Sequence, residues 1–552
     1  MTQHTYKYLG VPHGSPKRQS ITQILARAVK DFEAVLASKL TMKQKVVAYK
    51  TFIAPRFVYA FRTFDIPLTV LYAKSTNTNA GGNTAAIGFD ASILKSIKAA
   101  LKVPHSTTAD FLYANKNLGG LGIISTYAEY LTQGIVSLFH LFNSPDPTVR
   151  RIVRSELIDV TLLRYNTDVD LLSALKWVCG SELENKRVRY ADRSWFSRIR
   201  KAFENARDHY NIVIRPRLNG DVLELLMDYK SGQSEESYVV TRLNSRDLCS
   251  TLHDLIGQAH YDRWCSLKRQ GDTVRCRSLS PHSMAIFRTE EVSDALWKFA
   301  IKAHVNGLKL AGSLARSYFG ANTRCRRCRY QMRPDGAPWT ENQCHIFQHC
   351  IYNEGLIRKR HDTIAEMLHT ALRRANLDAT LEESPFEIVT TKRPDIIVRF
   401  PNRTLFIDVK SPYDIISNFN EVNERNREKY RETASDMQAA TNKPVFVLTF
   451  IVGALGSWHI QNDSHLLSVG FSEEEIKSLA SRMTISALRD SHYIYQQHVA
   501  VNPINEDLEI PESEMVFTAP YNNGPGIAPV APSTQDDRDD FDALDGALFV
   551  LA

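Results

Sequence analysis

The sequence has no apolar run long enough to cross a membrane. The longest run extends from Val445 to Leu455, whereas a membrane-spanning helix needs roughly 20 such residues. The first residues, Met-Thr-Gln-His-Thr-Tyr, contain neither the basic region nor the apolar segment of a signal peptide. These absences argue against an integral membrane protein and against secretion. We therefore expect a soluble protein without a membrane partner.

Cysteine is also scarce, with eight in 552 residues, which argues against a fold held by disulfides. Half of them lie between Cys325 and Cys350, and in a reducing compartment such a cluster favours metal binding. A Cys-x2-Cys pair followed by a His-x4-Cys pair can place three thiolates and one imidazole around Zn²⁺, as in a zinc knuckle. The candidate ligands are Cys325, Cys328, His345 and Cys350.

The ligand assignment leaves alternatives open, because Cys344 and His349 could replace their neighbours and the sixteen residues between the two pairs form a long loop. Buried thiols without a metal are the other interpretation. The surrounding arginines argue against it, since such a pattern is not typical of a core. Arg326 and Arg327 are candidates for phosphate contacts. A segment this short has little apolar core, so zinc would supply its folding free energy.

Length and charge set the broad class. A chain of 552 residues with 43% hydrophobic content suggests about three or four domains. Residues 501–552 contain eleven acidic residues and a single arginine, Arg538, and are expected to form an acidic disordered tail. Because the whole chain carries a net charge of +7, the part before this tail is more basic still. Nucleic acid is the partner that such a charge predicts.

A predicted β-hairpin extends from Arg393 to Lys410 and carries acidic side chains. Segments rich in β-branched and aromatic residues flank the turn Pro401-Asn402-Arg403. If the strands pair symmetrically about this turn, Asp395 lies opposite Asp408. Lys410 then shares their face, because side chains alternate along a strand. The sequence therefore predicts that two carboxylates and one ammonium converge.

Such a cluster suits phosphodiester hydrolysis. Carboxylate oxygens are ligands that Mg²⁺ prefers, and an ammonium beside the cation can orient water or stabilise charge on a phosphate. The pattern Pro-Asp followed by Asp-x-Lys resembles the active-site signature of restriction-endonuclease-like nucleases. A structural hairpin with solvated charges is the alternative.

The segments around the hairpin predict the rest of an α/β core. Apolar periodicity predicts a helix over 361–372, a strand over 386–389, a helix over 420–440 and a strand over 444–452. The resulting order, α-β-β-β-α-β, is also the order that the resemblance implies for the nuclease fold. We therefore expect a multidomain α+β protein.

The chain before the cysteine cluster is predicted to be mainly helical. Apolar spacing from Ile21 predicts one helix, and Thr41 is the expected N-cap of a second helix that ends before Pro55. Residues 76–84 are polar and glycine-rich and are expected to form a loop, and residues 130–310 are expected to be mostly helical.

A basic and aromatic segment at 186–201 is a candidate nucleic-acid contact through Arg198, Arg200 and Lys201. Arginines neutralise phosphates and aromatic rings stack on bases. A solvated helical face is the alternative.

Several segments resemble, in order, the C-terminal half of site-specific non-LTR retrotransposon proteins. Tyr8-Leu9-Gly10-Val11-Pro12 and residues 52–62 resemble the end of a reverse transcriptase where it enters the thumb. Residues 304–309 resemble the segment before the zinc knuckle, although Lys309 replaces a proline. The knuckle and the Pro-Asp…Asp-x-Lys pattern follow. The resemblance covers roughly residues 6–490.

The resemblance implies residue roles. Asp395 and Asp408 match the metal-binding acids, and either Lys410 or Lys429, in the pair Lys429-Tyr430, matches the catalytic lysine. Arg360-His361 resembles the Arg-His of the family's first helix and is a candidate phosphate contact, although a satisfied surface histidine is the alternative for His361. Tyr190-Ala191-Asp192-Arg193 resembles a polymerase turn, but Arg193 replaces its second acid and the upstream acids are missing. No polymerase activity is expected.

The family's nuclease nicks target DNA, and the exposed 3′ end primes reverse transcription of the element's RNA. The resemblance therefore implies a DNA endonuclease, with Mg²⁺ and Zn²⁺ as cofactors, DNA and element RNA as partners, and the nucleus as its location. The chain is expected to be a truncated copy, and the missing polymerase half could be required. A non-catalytic DNA- or RNA-binding remnant of the same element is the alternative.

These interpretations predict an order of segments along the chain. The expected boundaries are a thumb-like helical segment at 1–75, a loop at 76–90, a basic helical linker at 91–320, the zinc knuckle at 321–352, the endonuclease at 353–500 and the acidic tail at 501–552.

Overall fold

A computed structural model describes residues 6–8, 11–13, 20–63, 71, 88–165, 168–181, 194–231, 234–314, 322–328 and 331–500. The chain divides into two compact units between Val305 and Asn306. Both units contain helices and strands, which confirms a mixed α+β protein. None of the described helices is both long and apolar enough to span a bilayer. The predicted acidic tail, the loop at 76–84 and the polymerase-like turn lie outside the described residues.

The first unit opens with a short antiparallel ribbon of β1 (Tyr6–Tyr8) and β2 (Val11–His13) and is otherwise built mainly of helices. Its described α-helices are α1 (Ser20–Ala37), α2 (Met42–Ala48), α3 (Arg56–Thr63), α4 (Phe89–Leu101), α5 (Asp110–Tyr113), α6 (Thr126–Phe142), α7 (Pro147–Tyr165), α8 (Leu171–Val178), α9 (Trp195–Tyr210), α10 (Leu248–Ser266), α11 (Asp272–Ser278), α12 (Ala285–Arg288) and α13 (Asp294–His304).

The two predicted N-terminal helices are confirmed. Thr41 caps α2 as expected: its hydroxyl accepts a hydrogen bond from the Gln44 backbone, and the Gln44 side chain accepts one from the Thr41 backbone. This capping box satisfies two backbone donors that a helix leaves unpaired at its start. A π-helical turn, Tyr49–Ile53, then continues α2 towards Pro55.

The expectation of a mainly helical linker missed a three-stranded antiparallel sheet. It consists of β3 (Ile212–Asn219), β4 (Val222–Ser231) and β5 (Ser234–Val240). Asn219 pairs with Val222 across a two-residue turn, where Gly220 adopts a φ of +58°. Gly220 and Asp221 are the two central residues of this turn, and glycine at the first of them is a hairpin signal because it tolerates positive φ. Buried side chains of this sheet join the core formed by α6, α7, α8, α9 and α10.

The second unit contains the cysteine cluster and the predicted hairpin. Its elements in chain order are α14 (Ala311–Leu314), α15 (Glu354–Arg374), β6 (Asp378–Leu381), β7 (Ile396–Arg399), β8 (Thr404–Lys410), α16 (Ile416–Lys429), α17 (Arg431–Thr441), β9 (Val445–Ile451), α18 (Gln461–Ser468) and α19 (Glu473–Ala500). The strands form one sheet in the order β6-β7-β8-β9, antiparallel except for the parallel pair β8-β9.

The predicted hairpin register is confirmed. Arg399 pairs with Thr404 and Ile396 pairs with Ile407, so the next position along places Asp395 beside Asp408. One face of this hairpin packs into the core shared with α15 and α19. The opposite face buries Ile397 and Phe406 against α17. Alternation places Asp408 on this second face.

Two details of the predicted core were wrong. Residues 386–389 do not form a strand, and β6 is the strand that precedes the hairpin. Phe386 and Val389 are exposed there, so they lack the packing that would favour a strand. The predicted helix over 420–440 is two helices, α16 and α17, that meet at Tyr430. The order α-β-β-β-α-β nevertheless stands, with that helix divided in two.

Candidate nuclease site and zinc-binding cluster

Asp395 and Asp408 lie together where the hairpin opens. Asp395 directly precedes β7, and its Oδ2 accepts a hydrogen bond from the Val409 backbone N–H at 2.6 Å. This bond crosses from one strand to the other and fixes the Asp395 carboxylate next to Asp408. The side chain of Asp395 is 17% exposed, whereas Asp408 is buried.

Both candidate lysines contact Asp408. The ammonium of Lys410 pairs with Oδ2, and Nζ of Lys429 lies 3.5 Å from Oδ1. Lys410 is about one-third exposed and Lys429 about half exposed. The structure therefore brings together all four residues that the sequence predicted for catalysis, and places both amines within reach of solvent.

Tyr430 is part of this cluster although its role was not predicted from the residues themselves. Its hydroxyl oxygen lies 2.8 Å from Asp408 Oδ1 and 2.8 Å from the Arg393 carbonyl oxygen. Burial and the adjacent Asp408 charge raise the pKa of Tyr430, so it remains a neutral donor. Helix α16 ends at Lys429. The break after it lets two consecutive residues, Lys429 and Tyr430, both contact the Asp408 carboxylate.

His361 closes the other side of the cluster. Its Nε2 lies 3.3 Å from Asp395 Oδ2 and 2.8 Å from the Val409 carbonyl oxygen, while Nδ1 lies 3.0 Å from Asp362 Oδ1. Burial acts to lower the pKa of His361, but hydrogen bonds and the charge of Asp395 outweigh it and raise the pKa to about 9. Burial acts to raise the pKa of Asp395, and His361 and Lys410 outweigh it, so this pKa is lowered. The pair is an imidazolium and a carboxylate at neutral pH.

The donor set of this cluster is compatible with a hard divalent cation. Oδ2 of Asp408 is buried, contacts the Lys410 ammonium and accepts no hydrogen bond of good geometry. Carboxylate oxygens suit Mg²⁺. His361 and the two lysines balance the carboxylate charge, and a bound cation would take over part of that role.

Arg360 is placed differently from the expected phosphate contact. Its guanidinium is fully buried and donates to the Phe347 carbonyl at 2.8 Å, the Ser411 hydroxyl at 3.1 Å, the Ser411 carbonyl at 3.1 Å and the Ser491 hydroxyl at 2.9 Å. No donor faces solvent. Arg360 therefore connects the cysteine-rich segment, the residue after Lys410 and helix α19.

The four predicted zinc ligands form one buried group. Their ligand atoms all lie within 4.8 Å of one another. Cys328 Sγ is 3.5 Å from His345 Nε2 and 3.6 Å from Cys350 Sγ. The members are Cys325, Cys328, His345 and Cys350. Three thiols and one imidazole this close match a tetrahedral zinc site, and the group could hold a zinc ion. Cys344 and His349, the alternative ligands, are not in this group.

His498, at the end of α19, was not predicted to lie here. It is fully buried, with Nε2 2.9 Å from Glu341 Oε1 and 3.8 Å from Cys325 Sγ, and Nδ1 3.1 Å from Asn353 Nδ2. It forms a second possible ligand group with Cys325 and Glu341. His498 lies more than 140 residues from the cysteines in sequence. No local sequence pattern could therefore have predicted this contact.

The two arginines of the cluster have structural partners. Arg326 pairs with Glu341, which is fully buried, and Arg327 donates to Asn353 Oδ1 at 2.9 Å. Burial acts to raise the pKa of Glu341, but His498 and Arg326 outweigh it and lower the pKa to about 2. Phosphate binding by Arg326 would have to compete with this ion pair.

The basic residues of α9 that were predicted to contact nucleic acid differ in their exposure to solvent. Arg200 is buried and donates to the Trp177 and Ser181 carbonyls, each at 2.6 Å, so it supports the fold of the first unit. Lys201 is exposed and Arg198 is half-buried. The remaining part of this segment, 186–193, lies outside the described residues.

No protein-family model matches this chain, and no curated protein sequence does either.

Proposed function

We propose that this protein is a metal-dependent DNA endonuclease that nicks target DNA for target-primed reverse transcription. The observation that carries the proposal is the antiparallel register that sets Asp395 beside Asp408, with Lys410 and Lys429 on the same carboxylate. The resemblance to non-LTR retrotransposon proteins supplies the substrate and the biological context.

In this proposal each residue of the cluster has one task. Asp395 and Asp408 would hold Mg²⁺, which when bound polarises the scissile phosphate. Lys410 or Lys429 orients the attacking water or stabilises the charge that develops on the phosphate. His361 keeps Asp395 ionised, and the Tyr430 hydroxyl orients Asp408. The product would carry a 3′-hydroxyl.

The zinc-binding cluster would support DNA nicking indirectly, by stabilising the fold of the segment next to the nuclease site. Cys325, Cys328, His345 and Cys350 would hold the zinc ion. We assign phosphate binding to exposed lysines and arginines, because Arg360, Arg200 and Arg326 are occupied by protein acceptors.

The test is plasmid nicking by the purified chain with Mg²⁺. We expect Asp408→Asn to abolish conversion of supercoiled plasmid to open circle while DNA binding persists, because the substitution removes a metal ligand without altering the basic surface. Asp378→Asn, at an exposed position in β6 of the same sheet, is the matched control and should nick normally.

Two results would argue against the proposal. Unchanged nicking by the Asp408→Asn variant would remove the carboxylate pair from the mechanism. Binding without nicking by the unmodified chain, on a plasmid that carries diverse target sequences, would favour the non-catalytic binding remnant.

A further inference from the structure

A separate group of metal-ligating side chains lies in the first unit, between α6 and α10. Glu129 extends from the first turn of α6, and Cys249 and His253 extend from α10. One ligand atom from each residue lies within 4.8 Å of the other two. Cys249 and His253 are four residues apart, which places both side chains on one face of the helix.

The distances suit a tetrahedral cation. His253 Nε2 lies 2.8 Å from Glu129 Oε2 and 3.8 Å from Cys249 Sγ. With zinc–ligand bonds of about 2.0–2.3 Å, ligand atoms in a tetrahedron are roughly 3.3–3.8 Å apart. The imidazole and thiol already have this separation, and the carboxylate and imidazole would have to move apart by about half an ångström. All three side chains are partly exposed, so solvent could supply a fourth ligand.

A neighbouring amide orients these ligands. Gln133 Nε2 donates to Glu129 Oε1 at 2.6 Å and lies 3.7 Å from Cys249 Sγ, and Gln133 Oε1 accepts from Arg62 Nε at 2.7 Å. The bond to Oε1 leaves Oε2 of Glu129 directed at His253. Outer hydrogen bonds that fix a ligating carboxylate in this way are a regular feature of metal sites.

We propose that Glu129, Cys249 and His253 form a second metal site, selective for zinc-like cations and distinct from the cysteine cluster of the second unit. Mixed sulfur, nitrogen and oxygen donors favour Zn²⁺ or Co²⁺ over Mg²⁺. Binding would release the Cys249 thiol proton and the proton that His253 shares with Glu129. The cation would join α6 to α10, two helices more than 100 residues apart in sequence.

The test is a comparison of bound metal between the full-length chain and a Cys249→Ser variant. Each protein is dialysed against Zn²⁺ and then against metal-free buffer, and zinc is counted by mass spectrometry. We expect the variant to hold one ion per chain fewer. Serine keeps the size of the side chain, and circular dichroism would confirm that the helices persist. Cys265→Ser, in the same helix, is the matched control and should hold as much zinc as the unmodified chain.

Glu129→Gln provides an independent variant, because it retains the shape of the side chain and removes only the charged ligand. A Co²⁺ titration should show a thiolate-to-cobalt charge-transfer band that is weaker by the same increment in both variants. Equal zinc content and equal spectra in the unmodified, Cys249→Ser and Glu129→Gln chains would show that this group is an ion pair only. The difference between chains, rather than the absolute count, decides the question, so the result does not depend on the cysteine cluster.

Discussion

At the scale of single residues, Asp408 has two amine partners with different exposure. Lys410 and Lys429 contact different oxygens of one carboxylate, so each could orient water beside a bound cation. The residue that acts on water should affect the rate of cleavage. The other residue should chiefly affect how tightly the carboxylates hold the cation.

We therefore expect Lys410→Ala and Lys429→Ala to have separable effects. The substitution of the catalytic amine should lower the single-turnover nicking rate by about 100-fold or more, because an electrostatic partner of the transition state typically contributes about 10²–10³-fold. The other substitution should shift mainly the Mg²⁺ midpoint. Nicking rates over a Mg²⁺ titration separate the two effects. Equal rates and midpoints in all three proteins would exclude both amines.

The pair formed by His361 and Asp395 predicts a pH dependence of stability. The pKa of His361 is raised to about 9 in the folded state, above its value of roughly 6.5 in an unfolded chain. The contribution of the protonated His361 imidazole is therefore complete below about pH 6.5 and is lost as the pH rises through 9.

His361→Gln should consequently lower the melting temperature more at pH 6 than at pH 10. Thermal unfolding in EDTA, followed by circular dichroism at both pH values, measures this difference without interference from a bound divalent cation. His369→Gln, on the same helix, serves as the control. A pH-independent difference for His361→Gln would indicate that the imidazole is neutral in the folded protein.

At the scale of elements, Arg360 joins three pieces of the second unit. Its bonds to Phe347, Ser411 and Ser491 connect the cysteine-rich segment, the end of β8 and α19. His498 adds a contact between the end of α19 and Cys325. The cysteine cluster, the strand that carries Asp408 and the last described helix therefore form one structural assembly.

Arg360→Gln should destabilise this assembly strongly. The substitution removes donors to buried carbonyl and hydroxyl oxygens, and each buried group left unpaired typically costs about 1–3 kcal/mol. Chelation of zinc should weaken the same region, and hydrogen exchange should increase at the end of α19 and around Ser411 in both cases. Arg358→Gln, at an exposed position two residues earlier in the same helix, is the control. Unchanged exchange around Ser411 after complete zinc removal would show that the cysteine cluster folds independently of the nuclease strand.

At the scale of the whole molecule, the two units differ in their net charge and in the predicted functional residues that they contain. Basic residues clearly outnumber acidic ones before Asn306 and only narrowly between residues 306 and 500. All the predicted catalytic residues and zinc ligands lie after Asn306.

A fragment of residues 306–500 should therefore nick DNA but bind it more weakly. Fewer phosphate contacts would also make its binding less dependent on salt, because the slope of affinity against salt reflects the number of counterions released. Binding of the fragment and of the full chain, measured over a salt series, tests this expectation. Identical slopes would place the DNA-binding surface within the second unit.

The sequence alone determined those features of the fold that local chemistry controls. The Pro401-Asn402-Arg403 turn and the β-branched segments beside it predicted the register that brings Asp395 to Asp408. Likewise, Thr41 predicted a helix cap, and the cysteine spacing predicted a group that could hold zinc. Each signal lies within a few residues, so strand alternation, turn geometry or ligand spacing is enough to interpret it.

Contacts between distant segments were decided by the tertiary structure alone. An exposed and a buried arginine look the same in sequence, so Arg360 and Arg200 were expected at phosphates, whereas packing surrounds them with carbonyl and hydroxyl acceptors. Tyr430 reaches Asp408 because α16 ends at the residue before it. His498 reaches Cys325 because the last helix, α19, packs its end against the cysteine cluster. The free energy of burying a charged group depends on every segment that packs around it, and no local pattern contains that information.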